Sequence, residues 1–230
     1  MDMKQNAVII AAGELGKTEY HYSESDYVIA ADRGYLSAMA LGVMPDCVIG
    51  DFDSLGEIPK HKNITVLPCE KDDTDTSFAV KKALCMGFKR IFILGGLGGR
   101  FDHSFANIQL LAYIAREGVA GFIVTEREIM TVIKDSSLTI HGKTGDTISV
   151  FSITEKSIGV CATGFRYPLE NAVLESGSVI GTSNELSGST AQITVAQGEL
   201  FVCAQSDSAN LLEKNRFADT GIYGKFNIYL

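Results

Sequence analysis

The first half of the chain alternates short, continuous apolar runs with stretches whose apolar residues recur at helical spacing. Residues 7–11, 27–31, 48–50, 64–67, 90–94 and 121–124 read as strands buried on both faces, because their apolar residues are continuous rather than alternating. Between them, residues 34–41, 74–86 and 102–117 read as helices with one apolar stripe. This β-α-β succession predicts a mostly parallel, Rossmann-like sheet. Past about Thr125 the texture changes. Residues 130–133, 138–141, 147–152, 157–160, 192–195 and 200–204 are short, β-rich and separated by Gly, Asp, Asn or Ser, which predicts an antiparallel sandwich or barrel. The expected organisation is an α/β domain over residues 1–128 and an all-β sandwich domain over residues 129–230. Residues 222–230 predict a last strand, pairing within its domain or across a dimer.

Composition narrows the class. A chain of 230 residues, 46% hydrophobic, is long enough to bury a substantial core. No apolar run approaches the roughly 20 residues that span a bilayer. The N-terminus, Met1-Asp2-Met3-Lys4-Gln5, lacks the charged-then-apolar layout of a signal peptide, so the chain reads as soluble and cytoplasmic, without a membrane partner. Its five cysteines, Cys47, Cys69, Cys85, Cys161 and Cys203, are odd in number and lack C-x-x-C spacing. That pattern predicts reduced, mostly buried thiols and no zinc site. A net charge of −8 with no basic run argues against nucleic acid. An anionic substrate would enter as a metal complex.

The chemistry concentrates in acidic loops beside the predicted strands. Gly50-Asp51-Phe52-Asp53-Ser54 follows the apolar run Cys47-Val48-Ile49. On extended backbone Asp51 and Asp53 would point the same way, and adjacent carboxylates repel unless a cation or a shared proton lies between them. A solvated acidic turn is the alternative, weakened by Phe52 between the two acids. Asp32-Arg33-Gly34 follows the second strand, and Lys71-Asp72-Asp73-Thr74-Asp75 opens a helix, where Asp73 or Thr74 is suited to cap it. Gly98-Gly99-Arg100-Phe101-Asp102-His103 opens another, with Asn107 one turn on. Arg100 could grip a phosphate through two hydrogen bonds, whereas His103 fits a helix surface as well as a substrate role. In an open α/β sheet such loops converge at the carboxyl ends of the strands.

Ala11-Ala12-Gly13-Glu14-Leu15-Gly16-Lys17-Thr18 satisfies the looser phosphate-loop spacing, with Ala for the first Gly. Only residues 19–25 separate it from the next strand, which leaves little room for the helix such a loop requires. An ordinary glycine-containing turn is the simpler reading.

Taken in order, A-D-R-G, G-V-M-P-D-C-V-I-G-D-F-D-S, K-D-D-T-D-T-S-F-A and G-G-L-G-G-R-F-D-H-S-F-A-N closely resemble the thiamine pyrophosphokinase family. In the second half, G-F-R-Y-P-L-E-N-A-V-L-E-S-G and I-G-T-S-N-E resemble the β-domain of the same family. The resemblance implies ATP plus thiamine giving AMP plus thiamine diphosphate, with Mg²⁺, in a homodimer whose active sites are shared between subunits. It implies Asp51, Asp53 and Asp75 around the metal and the ATP phosphates, and Asp53, Asp75, Asp102 and Arg100 in catalysis. Asp32, Gly34, Lys71, Asp72, Thr74, His103 and Asn107 would bind substrate, with Ser183 and Asn184 reaching thiamine from the partner subunit. The general base stays open between Asp53 and Asp102. Some relatives stack a Trp on the thiamine ring; this chain has none, which leaves Tyr167 or Phe165, both residue types more often found in cores. The alternatives are a non-catalytic thiamine- or nucleotide-binding module, a phosphate-loop NTPase using Lys17, and a glycoside hydrolase, for which no sugar cleft is legible.

Overall fold

A computed structural model describes residues 6–15, 23, 25–205 and 225–229, and the chain divides into two units, Met1–Thr125 and Glu126–Leu230. In the first unit the strands are β1 (Asn6–Ile10), β2 (Asp26–Ala31), β3 (Cys47–Gly50), β4 (Ile64–Val66), β5 (Arg90–Leu94) and β6 (Ala120–Val124). Their order is β6-β5-β1-β2-β3-β4, and each neighbouring pair is parallel. The continuous apolar runs are explained by burial on both faces: Ala7 to Ile10 and Ile91 to Leu94 are almost wholly sealed.

Helices α1 (Gly34–Ala40), α2 (Asp75–Cys85) and α3 (Phe101–Arg116) cover the sheet, α1 against β1 and β2, α2 against β1 to β3, and α3 against β6. Helix α2 illustrates how the sequence sets an element. The Thr74 hydroxyl caps it by accepting from the Ser77 amide at 3.1 Å, and Asp75 in the first turn and Lys82 in the last complement the helix dipole. Its buried residues Thr76, Ser77, Ala79, Val80 and Ala83 recur at helical spacing. Gly118, at φ +70°, takes the left-handed turn just past α3.

The second unit contains β7 (Glu128–Lys134), β8 (Ser137–His141), β9 (Thr147–Ser152), β10 (Lys156–Thr163), β11 (Leu169–Glu175), β12 (Asn184–Glu185), β13 (Thr190–Thr194), β14 (Glu199–Gln205) and β15 (Lys225–Tyr229). Strands β12-β9-β14-β7 form one antiparallel ladder. A second runs β11-β10-β13-β8, to which β15 adds in parallel beside β8. The final strand therefore pairs within the chain. Strands β8, β9 and β13 alternate buried and open positions, so one face of each ladder is apolar. Strand β11 escaped the sequence reading for a physical reason: Leu174 is its one buried residue, so there is no alternation to detect.

The cysteines depart from expectation. All five are free, but Cys47 alone is buried, while Cys69 and Cys85 are exposed and Cys161 and Cys203 half-covered. Burial pushes the Cys203 thiol up to about 12, with the Glu128 carboxylate adding to the effect. A thiol reagent applied to the native protein at pH 8 should label Cys69 and Cys85 first and Cys203 only after unfolding. Fast Cys203 labelling, read by peptide mass mapping, would contradict the packing described. Among the described residues, no helix is long and apolar enough to cross a membrane.

Candidate active site

The strand order changes direction at β1, and the loops after β1 and β5 diverge there into a cavity of about 550 Å³ at the carboxyl ends of the strands. Its lining comes from Ala11 to Glu14 after β1, Asp32 and Arg33 after β2, Ser54 after β3, the glycines of the loop after β5, and His103 and Asn107 of α3. The register explains the convergence. Ala31 stands beside Ile49, so Asp32 just after β2 and Gly50-Asp51 at the end of β3 come out side by side. A Cβ on Gly50 would approach the Asp32 backbone to 3.0 Å, so glycine is what lets these two acidic loops meet.

Carboxylate oxygens of Asp32, Asp51 and Asp53 lie within 4.8 Å of one another. The extended geometry expected for Asp51 and Asp53 is incorrect. Strand β3 stops at Gly50, Phe52 turns left-handed at φ +60°, ψ +19°, and Asp53 opens a short 3-10 turn, Asp53–Leu55. The left-handed backbone of a bulky residue costs about 1–3 kcal/mol. Burying the Phe52 ring, 2% exposed, returns about 1.5–3 kcal/mol and thereby holds the kink. The two acids stay together because the Asp53 amide donates to Asp51 Oδ1 at 3.3 Å. Asp32 is also left-handed, at φ +47°. Its Oδ2 accepts from the Ser54 hydroxyl at 2.6 Å, whereas its Oδ1 is sealed from solvent with no hydrogen-bond partner.

Asp75 lies outside this trio. Lys71 Nζ stands 2.5 Å from Asp51 Oδ2 and 3.0 Å from Asp75 Oδ1, so one ammonium ties the two acidic loops together. Asp75 Oδ1 has the proximity of an ion pair there without the angle of a hydrogen bond. The Lys71 hydrogen bond holds the Asp51 carboxyl below the usual carboxylate range. Burial raises that of Asp75, against the pull of Lys71 and with help from the charges of Asp51 and Asp32. For Lys71, burial works to lower the pKa, but its pairing with the Asp51 and Asp75 carboxylates prevails and raises it.

The remaining residues sort themselves by contact. Thr74 is the α2 cap. Asp73 accepts from the Ser77 hydroxyl and pairs with Lys81, while Asp72 is exposed. Arg100 holds Asp102 through Nε at 3.1 Å and Nη2 at 2.6 Å, a bidentate pair on the surface. That hydrogen bonding holds the Asp102 carboxyl low and makes it a poor proton acceptor. His103 reaches the cavity, and Asn107 braces its floor by donating to the Gly96 carbonyl at 2.7 Å. Sequence reasoning passed over Ser54, Thr76 and Arg33 as cavity residues; the adjacency of Ser54 to Asp53 was the available signal.

Gly13 settles part of the phosphate-loop question. A Cβ there would lie 2.4 Å from the Leu97 carbonyl, and the Gly13 and Glu14 amides donate to Gly95 and Leu97. These amides brace the neighbouring loop and are not free to wrap a phosphate. Lys17 lies outside the described residues.

In the second unit, Ser183 is left-handed at φ +56° and its amide donates to Ser149 Oγ at 3.0 Å. The Asn184 side chain clamps Tyr167, accepting from its amide at 3.1 Å and donating to its carbonyl at 2.7 Å. Tyr167 is 60% exposed beneath the Arg166 guanidinium, whereas Phe165 is a core residue.

Residues 18–123 match a family model described as thiamin pyrophosphokinase, catalytic domain, and residues 135–200 one described as thiamin pyrophosphokinase, vitamin B1 binding domain. The chain is 30% identical over 186 residues to the thiamine pyrophosphokinase of Bacillus subtilis, covering 78% of this chain and 87% of that protein. It is 28% identical over 199 residues to thiamin pyrophosphokinase 1 of Caenorhabditis elegans, covering 80% and 82%. Among solved structures, the Bacillus subtilis thiamine pyrophosphokinase matches with a TM-score of 0.78 at 27% identity, covering 89% of this chain and 100% of that one. The Geobacillus thermodenitrificans thiamin pyrophosphokinase matches at 0.77 with 28% identity, covering 89% and 99%.

Proposed function

Because this chain belongs to the thiamin pyrophosphokinase family, we propose that the crevice beside β1 and β5 is where ATP yields its pyrophosphoryl group to the hydroxyl of thiamine. The products are thiamine diphosphate and AMP. The observation that carries this reading is the meeting of Asp51 and Asp53 with Asp32, which itself lines the glycine-rich cavity.

The donor set fits Mg²⁺. All three groups are hard oxygen donors, and the sealed, unpartnered Asp32 Oδ1 is a buried acceptor in need of a positive partner. Asp32, Asp51 and Asp53 would hold the ion, with Asp75 joined to them through Lys71. When bound, the ion neutralises charge on the phosphate oxygens. The chain's own residues do the rest. Glycines of the loop after β5 let the backbone approach the nucleotide, and Lys71 and Arg100 add fixed positive charge. Transfer then rests on alignment of the thiamine hydroxyl with the β-phosphorus and on electrostatics. With Asp102 held by Arg100, Asp53 is the better placed of the two carboxylates considered for the hydroxyl proton.

The cationic thiazolium of thiamine suits an acidic crevice on a chain of net charge −8. Ser183 and Asn184 approach it from the partner subunit of a homodimer, and the exposed Tyr167, whose backbone Asn184 holds, supplies the flat surface a Trp provides in some relatives. In this reading the catalytic domain is Rossmann-like and the thiamine-binding domain a β-sandwich, in a cytoplasmic enzyme.

The test is direct. Incubated with thiamine, ATP and Mg²⁺, the protein should form AMP and thiamine diphosphate in equal amounts by chromatography. ADP with thiamine monophosphate would mean single phosphoryl transfer and would overturn the assignment.

A further inference from the structure

Lys71 occupies an unusual place for a lysine near a phosphate site. Its side chain is 10% exposed, as is that of Asp51, and its ammonium faces two carboxylates rather than the open cavity. Asp51 is thereby shared: Oδ2 belongs to Lys71, Oδ1 accepts from the Asp53 amide, and the same carboxylate belongs to the trio with Asp32 and Asp53. A buried ammonium and a divalent cation carry the same sign of charge, so both cannot hold Asp51 closely without repulsion. A bare cation that displaced Lys71 from Asp51 would leave a nearly buried ammonium with Asp75 alone of its two carboxylates, at a cost in desolvation. A cation arriving with a polyphosphate brings the displaced ammonium new anionic oxygens.

We propose that Lys71 is an internal counter-ion that occupies Asp51 in the empty site and yields it only when a divalent cation arrives with the nucleotide, so that metal and polyphosphate bind as a coupled pair. This rests on the Mg²⁺–ATP reading of the crevice and adds to it a residue that enforces joint loading. Lys71 is here a positioning residue, acting through Asp51.

The experiment measures Mn²⁺ binding to the full chain by electron paramagnetic resonance, with and without a non-hydrolysable α,β-methylene ATP, correcting for Mn²⁺ held by free nucleotide. In the wild type, Mn²⁺ alone should bind weakly and the analogue should tighten it roughly tenfold or more. In Lys71→Gln, Mn²⁺ alone should bind roughly tenfold tighter, and the analogue should add little further. Lys71→Arg keeps the charge and grips a carboxylate through a fork, so it should bind Mn²⁺ alone more weakly than the wild type. If the Gln variant needs metal to fold, as melting curves with and without Mn²⁺ would reveal, the Arg variant carries the comparison. Equal Mn²⁺ affinity across the variants, or undiminished coupling in Lys71→Gln, overturns the inference while leaving the metal site standing. No Mn²⁺ binding by the wild type even with the analogue removes the metal reading and this inference together.

Discussion

Asp53→Ala should reduce pyrophosphoryl transfer about a thousandfold or more while the protein stays folded. Asp53 is exposed at the start of the 3-10 turn, and the contact that joins it to Asp51 is made by its backbone amide, which alanine retains. The kink at Phe52 is held by the buried ring and is likewise indifferent to the Asp53 side chain. The melting temperature should therefore move little. What is lost is one of three carboxylates that converge within 4.8 Å, and with it the fixed negative charge that would anchor the metal–phosphate complex. Removing one preorganised electrostatic partner of a reacting group typically costs about 10²–10³ in rate, and a thousandfold loss corresponds to about 4 kcal/mol of transition-state stabilisation. In the proposed reading Asp53 also accepts the hydroxyl proton, which places the expectation at the upper end. The measurement is steady-state formation of AMP across a Mg²⁺ series, with circular dichroism melting in parallel. Turnover near that of the wild type at saturating Mg²⁺ would remove Asp53 from the site.

The largest stability effect is expected at Gly34, the first residue of α1. The family resemblance implies a substrate contact at Gly34, and the sheet adds a steric constraint of its own. A Cβ there would lie 1.9 Å from the Ile10 carbonyl oxygen and 2.7 Å from its carbon, both in the backbone of the central strand β1. No side-chain rotation relieves a clash with backbone, so α1 would have to lift from the sheet, and Asp32 and Arg33 just before it would move too. Gly34→Ala should cost about 3 kcal/mol or more. For a chain of this size that lowers the melting temperature by roughly 6–12 °C. Gly188→Ala is the matched control, since nothing lies within 4 Å of its added Cβ and it should shift stability by no more than about 0.5 kcal/mol. A Gly34→Ala protein melting with the control would show that the helix and strand can separate without cost. Nucleotide affinity should fall with stability in Gly34→Ala, because the displaced loop carries Asp32 of the trio.

Strands β1, β2, β3, β5 and β6 were legible because parallel strands buried on both faces leave uninterrupted apolar runs, the part-exposed β4 through its β-branched residues, and the three helices because each keeps a stripe. Strand β11 was not, since an edge strand with one buried residue leaves no periodic trace. Asp51 and Asp53 were recognisable as a pair from their spacing, but the assumed geometry was extended and the observed one is kinked. The partnership of Asp32 with them could not be read from spacing, because it depends on which strands are neighbours and in what register. Arg100 and Asp102 were singled out as separate cavity groups, yet two residues apart at a helix entrance they bind one another.

Most of the elements, the loops that carry the acids and, through its motifs, the family can be read from the chain's residues alone. These are local properties: burial on two faces, helical spacing, and residue type at a turn each act over a few neighbours in the chain. Folding is what brings Asp32 to Asp51 and Asp53, sets Lys71 between Asp51 and Asp75, and gives Gly13 and Gly34 their backbone contacts. Each of these depends on groups distant in sequence approaching within a few ångströms. Electrostatic and steric energies change steeply over that distance, and strand order and register are what set it.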